Sequence, residues 1–150
     1  MQTPQHQLLL VDDDRAISPI TQEYLQGLGY TVTVCHDAVD GLRNFRKGQF
    51  DLCILDIKMP GKDGFSLAQD IVALAPDTPF IFLTSNSDEY TLNQAKEVMP
   101  SAYLVKPFSK DELYTSIEIA LHNFSKKKGE LDSNNVIIKD SLFVKEKGYY

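Results

Sequence analysis

No stretch of the 150 residues approaches the ~18 consecutive apolar residues that a membrane span needs. Cysteine is nearly as scarce. Cys35 and Cys53 are the only two, and both sit in apolar, strand-like runs. Two such thiols make neither a zinc site nor a disulfide framework, so they read as buried free thiols in a reducing, cytoplasmic setting. No glycine-rich phosphate loop follows any apolar run, which removes the common nucleotide-binding folds. There is no internal repeat, and the polar start, Met1 to Gln7, does not read as a secretory leader. Positive charge is also short. The net charge is −6, and residues 125–150 carry six lysines against four carboxylates, a local +2 that leaves −8 on residues 1–124. So acidic a body is a poor ligand for nucleic acid. The rest is an ordinary globular composition, 43% hydrophobic and 24% charged. It is long enough for one well-buried core, with room for a fragment of a second domain.

Short apolar runs alternate with segments of helical period. Residues 8–11, 31–35, 52–55, 80–83 and 103–105 read as strands. After the first, Ile17, Ile20, Tyr24, Leu25 and Leu28 recur at helical spacing up to Gly29. Asp37 can cap a second helix carrying Val39, Leu42 and Phe45, closed by Gly48. Phe65, Ala68, Ile71, Val72 and Ala75 mark a third. Leu92, Ala95, Val98 and Met99 mark a fourth, ended before Pro100. Ser109 and Glu112 form a capping box for a fifth, with Leu113, Ile117, Ala120, Leu121 and Phe124 on one face. Five strand–helix pairs imply an α/β fold: a five-stranded parallel sheet with helices on both faces. Residues 125–135, with three lysines and Gly129, read as a linker after a first domain of 1–124. Residues 136–150 contain two short apolar runs that read as the β start of a further domain.

Polar residues gather where the strands end. Asp12, Asp13 and Asp14 follow the first strand, Asp56 the third, Thr84 and Ser85 the fourth, Lys106 the fifth. In an open α/β sheet the crevice beyond the carboxyl ends of the strands is the ligand site. The pattern therefore predicts one cluster of carboxylates, a hydroxyl and an amine. Several carboxylate oxygens suit Mg²⁺. A carboxylate can attack phosphorus to give an acyl phosphate. Lys106 can offset the incoming charge, Thr84 can donate to a phosphoryl oxygen, and the small Ser85 leaves room for it. Asp14 reads as a charge at a helix start, Asp63 as a loop charge, and His6, His36 and His122 as surface residues.

The segments LLLVDDD, CILDIKMPGKDG, FIFLTS and SAYLVKPF, in this order and spacing across roughly residues 6–124, resemble the motifs of response-regulator receivers, the CheY-like family. The resemblance implies the flavodoxin-like strand order 2-1-3-4-5. It makes Asp56 the phosphorylated aspartate. It implies that Mg²⁺ would be ligated by Asp13 directly, by Asp12 through water, by Asp56, and by the backbone carbonyl of Lys58. Thr84 becomes the switch hydroxyl, Tyr103 the aromatic that follows it inward, and Lys106 the phosphoryl-binding lysine, with a Lys106–Pro107 bond that is often cis. The implied partner is a sensor histidine kinase or phosphotransfer protein. The implied self-association is a homodimer through helix 4, strand 5 and helix 5. Pro100 and Ser101 stand where a glycine is usual, a departure in the loop before the fifth strand.

Two rivals share some of these residues. A phosphatase of the haloacid-dehalogenase type also uses aspartates, Mg²⁺, a hydroxyl and a lysine. It expects an acidic pair on a strand after its lysine, and here Lys106 is the last polar residue of the cluster. The expected chemistry is thus self-phosphorylation and self-dephosphorylation, with no enzymatic action on other substrates. A stand-alone receiver would act by protein contact alone. Against that, the tail NNVIIKDSLFVKEKGYY resembles the opening of a LytTR-type DNA-binding domain, which implies transcription regulation, with DNA contacted only by that output domain.

Overall fold

The computed structural model describes residues 5–85 and 88–133, with side chains described as far as Phe124. Ten elements alternate strictly: β1 Gln7–Val11, α1 Ser18–Gly27, β2 Thr31–Cys35, α2 Ala38–Lys47, β3 Leu52–Asp56, α3 Gly64–Leu74, β4 Phe80–Thr84, α4 Glu89–Val98, β5 Ala102–Val105 and α5 Lys110–Ser133. The strands pair in parallel in the order β2-β1-β3-β4-β5. This is the flavodoxin-like order. β3 and β4 are buried at every position, as central strands covered on both faces must be.

Alternation along the strands splits the core in two. Leu9, Val11, Cys53, Leu55, Phe80 and Phe82 face α2, α3 and α4, meeting Phe45, Leu67, Ile71 and Ala95. Leu8, Leu10, Leu52, Ile54, Ile81 and Leu104 face α1 and α5, meeting Leu25, Leu113 and Ile117. Both cysteines are free and buried.

Helix starts follow the expected chemistry. Asp37 accepts from Asp40 N–H at 2.7 Å. Ser109 and Glu112 exchange side chain–backbone bonds of 3.0 and 2.8 Å, a complete capping box. Asp63, expected to be a loop charge, caps α3 by accepting from Ser66 N–H at 2.9 Å. Asp14 accepts from the N–H groups of Ala16 and Ile17 in the turn before α1.

Three expectations need correction. The apolar stripe on α1 is buried only in part: Leu25 is buried and Tyr24 packs on the core, whereas Ile17, Ile20 and Leu28 are exposed and Ser18 is buried. α1 covers edge strand β2, and there Gln22 adds a polar contact by donating to the Val32 carbonyl at 3.0 Å. Met99 is not within α4, which ends at Val98. It caps the helix in the left-handed region, φ 60° and ψ 60°, and is exposed. Finally, α5 does not stop at Phe124 but continues to Ser133. Lysine, glutamate and leucine are good helix formers, and they outweigh the single Gly129. The strand-like runs expected in 136–150 lie outside the described residues.

Candidate functional site

Strand register builds the site. Val11 pairs with Leu55, so Asp12 emerges beside Asp56. Asp56 pairs with Leu83, one residue short of Thr84. Thr84 pairs with Val105, one residue short of Lys106. Asp12, Asp56 and Lys106 continue the phase of Leu8, Leu10, Leu52, Ile54 and Leu104, which face α1 and α5. Thr84 and Tyr103 continue the opposite phase, toward α4.

The geometry follows. Lys106 Nζ donates to Asp12 Oδ2 at 3.2 Å and Asp56 Oδ2 at 3.5 Å. Asp12 and Asp56 are almost wholly buried, and Lys106 is partly so. One oxygen from each of Asp12, Asp13 and Asp56 lies within 4.8 Å of the others. Such a set of hard oxygen donors fits a small divalent cation such as Mg²⁺. Thr84 is fully buried at the end of β4, and Ser85 beside it is exposed. Lys58 lies exposed in the loop two residues beyond Asp56. Tyr103 is half-buried and packs on the core cluster of α3 and α4. The Lys106–Pro107 bond is cis.

Electrostatics set the protonation. Burial is the main force on the Asp56 carboxyl and Asp12 the second; against the opposing pull of Lys106 they push it up to about 8. Burial works against the Lys106 ammonium, but Asp56 and Asp12 together outweigh it and hold its pKa above the usual lysine value. Two buried carboxylates and a third at the rim exceed the charge one lysine can balance, so the site is short of positive charge. Burial, then the charge of Asp88, raises the Tyr103 phenol.

Two residues escaped sequence reasoning. A Cβ on Gly64 would fall on the Asp56 carbonyl oxygen and within 2.8 Å of Ile57 Cα. Gly64 also donates to the Ile57 carbonyl at 2.8 Å. α3 thus begins pressed against the backbone that carries Asp56, and only glycine fits. His36, expected at the surface, is half-buried with Nδ1 3.1 Å from the Asp12 carbonyl oxygen. Its partner is a backbone atom 24 residues away, which no side-chain pattern announces.

With this geometry in place, residues 8–118 match the response regulator receiver domain. The chain belongs to the response-regulator receiver family. The receiver is 37% identical over 123 residues to the transcriptional regulatory protein RprY of Bacteroides fragilis, covering 82% of this chain and 52% of that protein. It is 35% identical over 141 residues to the probable transcriptional regulator ycf27 of Cyanidium caldarium, covering 92% of this chain and 56% of that one. The chain therefore spans about half the length of these curated relatives. Among solved structures, a CheY-like receiver domain protein from Methanospirillum hungatei matches with a TM-score of 0.80 at 28% identity, over 83% of this receiver and 99% of that chain. No helix among the described residues is long and apolar enough to cross a membrane.

Proposed function

We propose that this receiver is a cytoplasmic phosphorylation switch whose phosphoryl-accepting residue is Asp56. The observation that carries the reading is Lys106 Nζ standing between Asp12 and Asp56 at 3.2 and 3.5 Å, in a cluster short of positive charge. Mg²⁺, held by Asp12, Asp13, Asp56 and the Lys58 carbonyl, supplies charge compensation for these carboxylates and for an incoming phosphoryl group. The Asp56 carboxylate attacks the phosphorus of a phosphohistidine on a sensor kinase or phosphotransfer protein. The P–N bond breaks, and its electron pair leaves with the imidazole, which takes up a proton. Lys106 transfers its donors to a phosphoryl oxygen, and the Thr84 hydroxyl donates to another. Ser85, beside Thr84, leaves space for the group.

Thr84 and Tyr103 occupy the same sheet face on neighbouring strands, so a Thr84 hydroxyl drawn toward the phosphoryl group vacates space that Tyr103 can enter. That shift biases a pre-existing two-state equilibrium at the α4–β5–α5 surface, through which the active form dimerises. The curated relatives named above are transcription regulators. Transcription control through an attached output domain is the corresponding reading here. Its assignment to the LytTR type is supported by the sequence of residues 134–150, and DNA contact belongs to that domain. The receiver turns over its own aspartyl phosphate and no phosphate ester.

Incubation with Mg²⁺ and acetyl phosphate is expected to add one phosphoryl group by intact mass, and Asp56→Asn to abolish it. Undiminished labelling of that variant, or steady turnover of a small phosphate ester, would overturn the reading.

A further inference from the structure

The two peptides flanking Asp12 are held by the end of β2 and by the residue that follows it. Asp12 N–H donates to the carbonyl of Cys35, the last residue of β2, at 3.0 Å. The Asp12 carbonyl, part of the peptide bond leading into Asp13, lies 3.1 Å from His36 Nδ1. A carbonyl only accepts, so Nδ1 carries the proton and donates. The Asp12 carboxylate is fixed separately, by Asp14 N–H at 2.9 Å and by Lys106 at 3.2 Å.

Asp13 stands differently. It is exposed, yet its oxygen must lie within 4.8 Å of those of Asp12 and Asp56 to complete the cluster. A peptide unit is planar and moves as one body, so the plane of the Asp12–Asp13 peptide sets where the Asp13 Cα, and with it the carboxylate, is aimed. The side chain gripping that plane is His36, the first residue beyond edge strand β2. His36 and Asp13 also border the same groove, together with Arg15, Asp37 and Lys62.

We propose that His36 is a positioning residue for the cation site: its Nδ1–H bond to the Asp12 carbonyl fixes the peptide plane that aims the Asp13 carboxylate. This rests on the reading of Asp12, Asp13 and Asp56 as a Mg²⁺ site.

The test titrates Mg²⁺ alone into the native protein and three variants by calorimetry. His36→Ala and His36→Leu remove the donor, the second keeping most of the volume should the first fold poorly. His36→Asn keeps an N–H donor near the Nδ1 position. Both donor-less variants are expected to bind Mg²⁺ about tenfold more weakly, as loss of an outer partner of a metal ligand does. His36→Asn is expected to restore most of the affinity. With acetyl phosphate, the Mg²⁺ concentration giving half the maximal labelling rate should rise for His36→Ala and His36→Leu, while the rate at saturating Mg²⁺ stays near native. A lowered thermal midpoint with unchanged Mg²⁺ affinity would overturn the proposal and leave His36 a packing residue. An asparagine variant as weak as alanine would also overturn it. A native protein that binds no Mg²⁺ would overturn the cation site itself, and the role of His36 with it.

Discussion

At the scale of single residues, Asp56 couples stability to pH. Its carboxyl sits near 8 in the folded metal-free protein because burial and then Asp12 disfavour the charge, whereas in the unfolded chain it titrates near the ordinary ~3.9. Between those values the native state holds a proton the unfolded state has lost. Stability contributed by that proton is present at low pH and falls as pH rises through about 8. Urea midpoints measured in chelator should therefore decline from pH 5.5 to 8.5. Asp56→Asn should flatten the decline and gain about 1–2 kcal/mol at the alkaline end. Native midpoints that climb over this range would count against the buried-charge account. Lys106, with its pKa raised, acts only at higher pH, outside the window. Gly64 makes a steric counterpart. Gly64→Ala should cost roughly 1–3 kcal/mol by overpacking and slow acetyl phosphate labelling, since the backbone to be displaced is that of Asp56 and Ile57. Native-like melting and labelling of that variant would refute the close approach.

At the scale of elements, the end of α4 stores strain. Met99 holds φ 60° without the freedom of glycine, directly before Pro100. Met99→Gly should stabilise the protein by roughly 1 kcal/mol, the cost of an L side chain in that region; a lower midpoint in urea would show that Met99 makes contacts worth more. The departure from the usual glycine was readable at Pro100 and Ser101, but its consequence, a left-handed methionine, was not. Signals that lie close together in the chain were legible: the Ser109–Glu112 box, the Asp37 cap, and the apolar runs 52–55 and 80–83 within β3 and β4. Strand order came with the family motifs, and the gathering of Asp12, Asp13, Asp56 and Lys106 came from their shared place at strand ends. Part of what failed depended on partners distant in sequence. Ile17 and Ile20 looked like a core stripe because nothing local reveals that α1 lies against the edge strand. His36 looked like a surface residue because its partner is the Asp12 carbonyl. Asp63 looked like a loop charge because a cap and a turn use the same side chain. The end of α5 looked like a linker because its lysines are polar, although they favour helix.

At the scale of the whole molecule, the carboxyl ends of the strands hold the chemistry, and the face bearing α4, β5 and α5 carries exposed Tyr90, Met99, Val105 and Tyr114. Light scattering with beryllofluoride and Mg²⁺ should show the mass doubling, and Val105→Asp should suppress that doubling without preventing phosphorylation of Asp56. An unchanged mass on activation would reject a dimer switch. The length of α5 gives that face a reach beyond itself. Its 24 residues, at ~1.5 Å each, make a rod of about 36 Å that begins four residues after Lys106. A tilt of about 5° at the root swings the far end by about 3 Å, an arm-length gain that needs no further moving part. On the proposed switch, an ångström-scale rearrangement around Tyr103 would be magnified along α5 as far as Ser133.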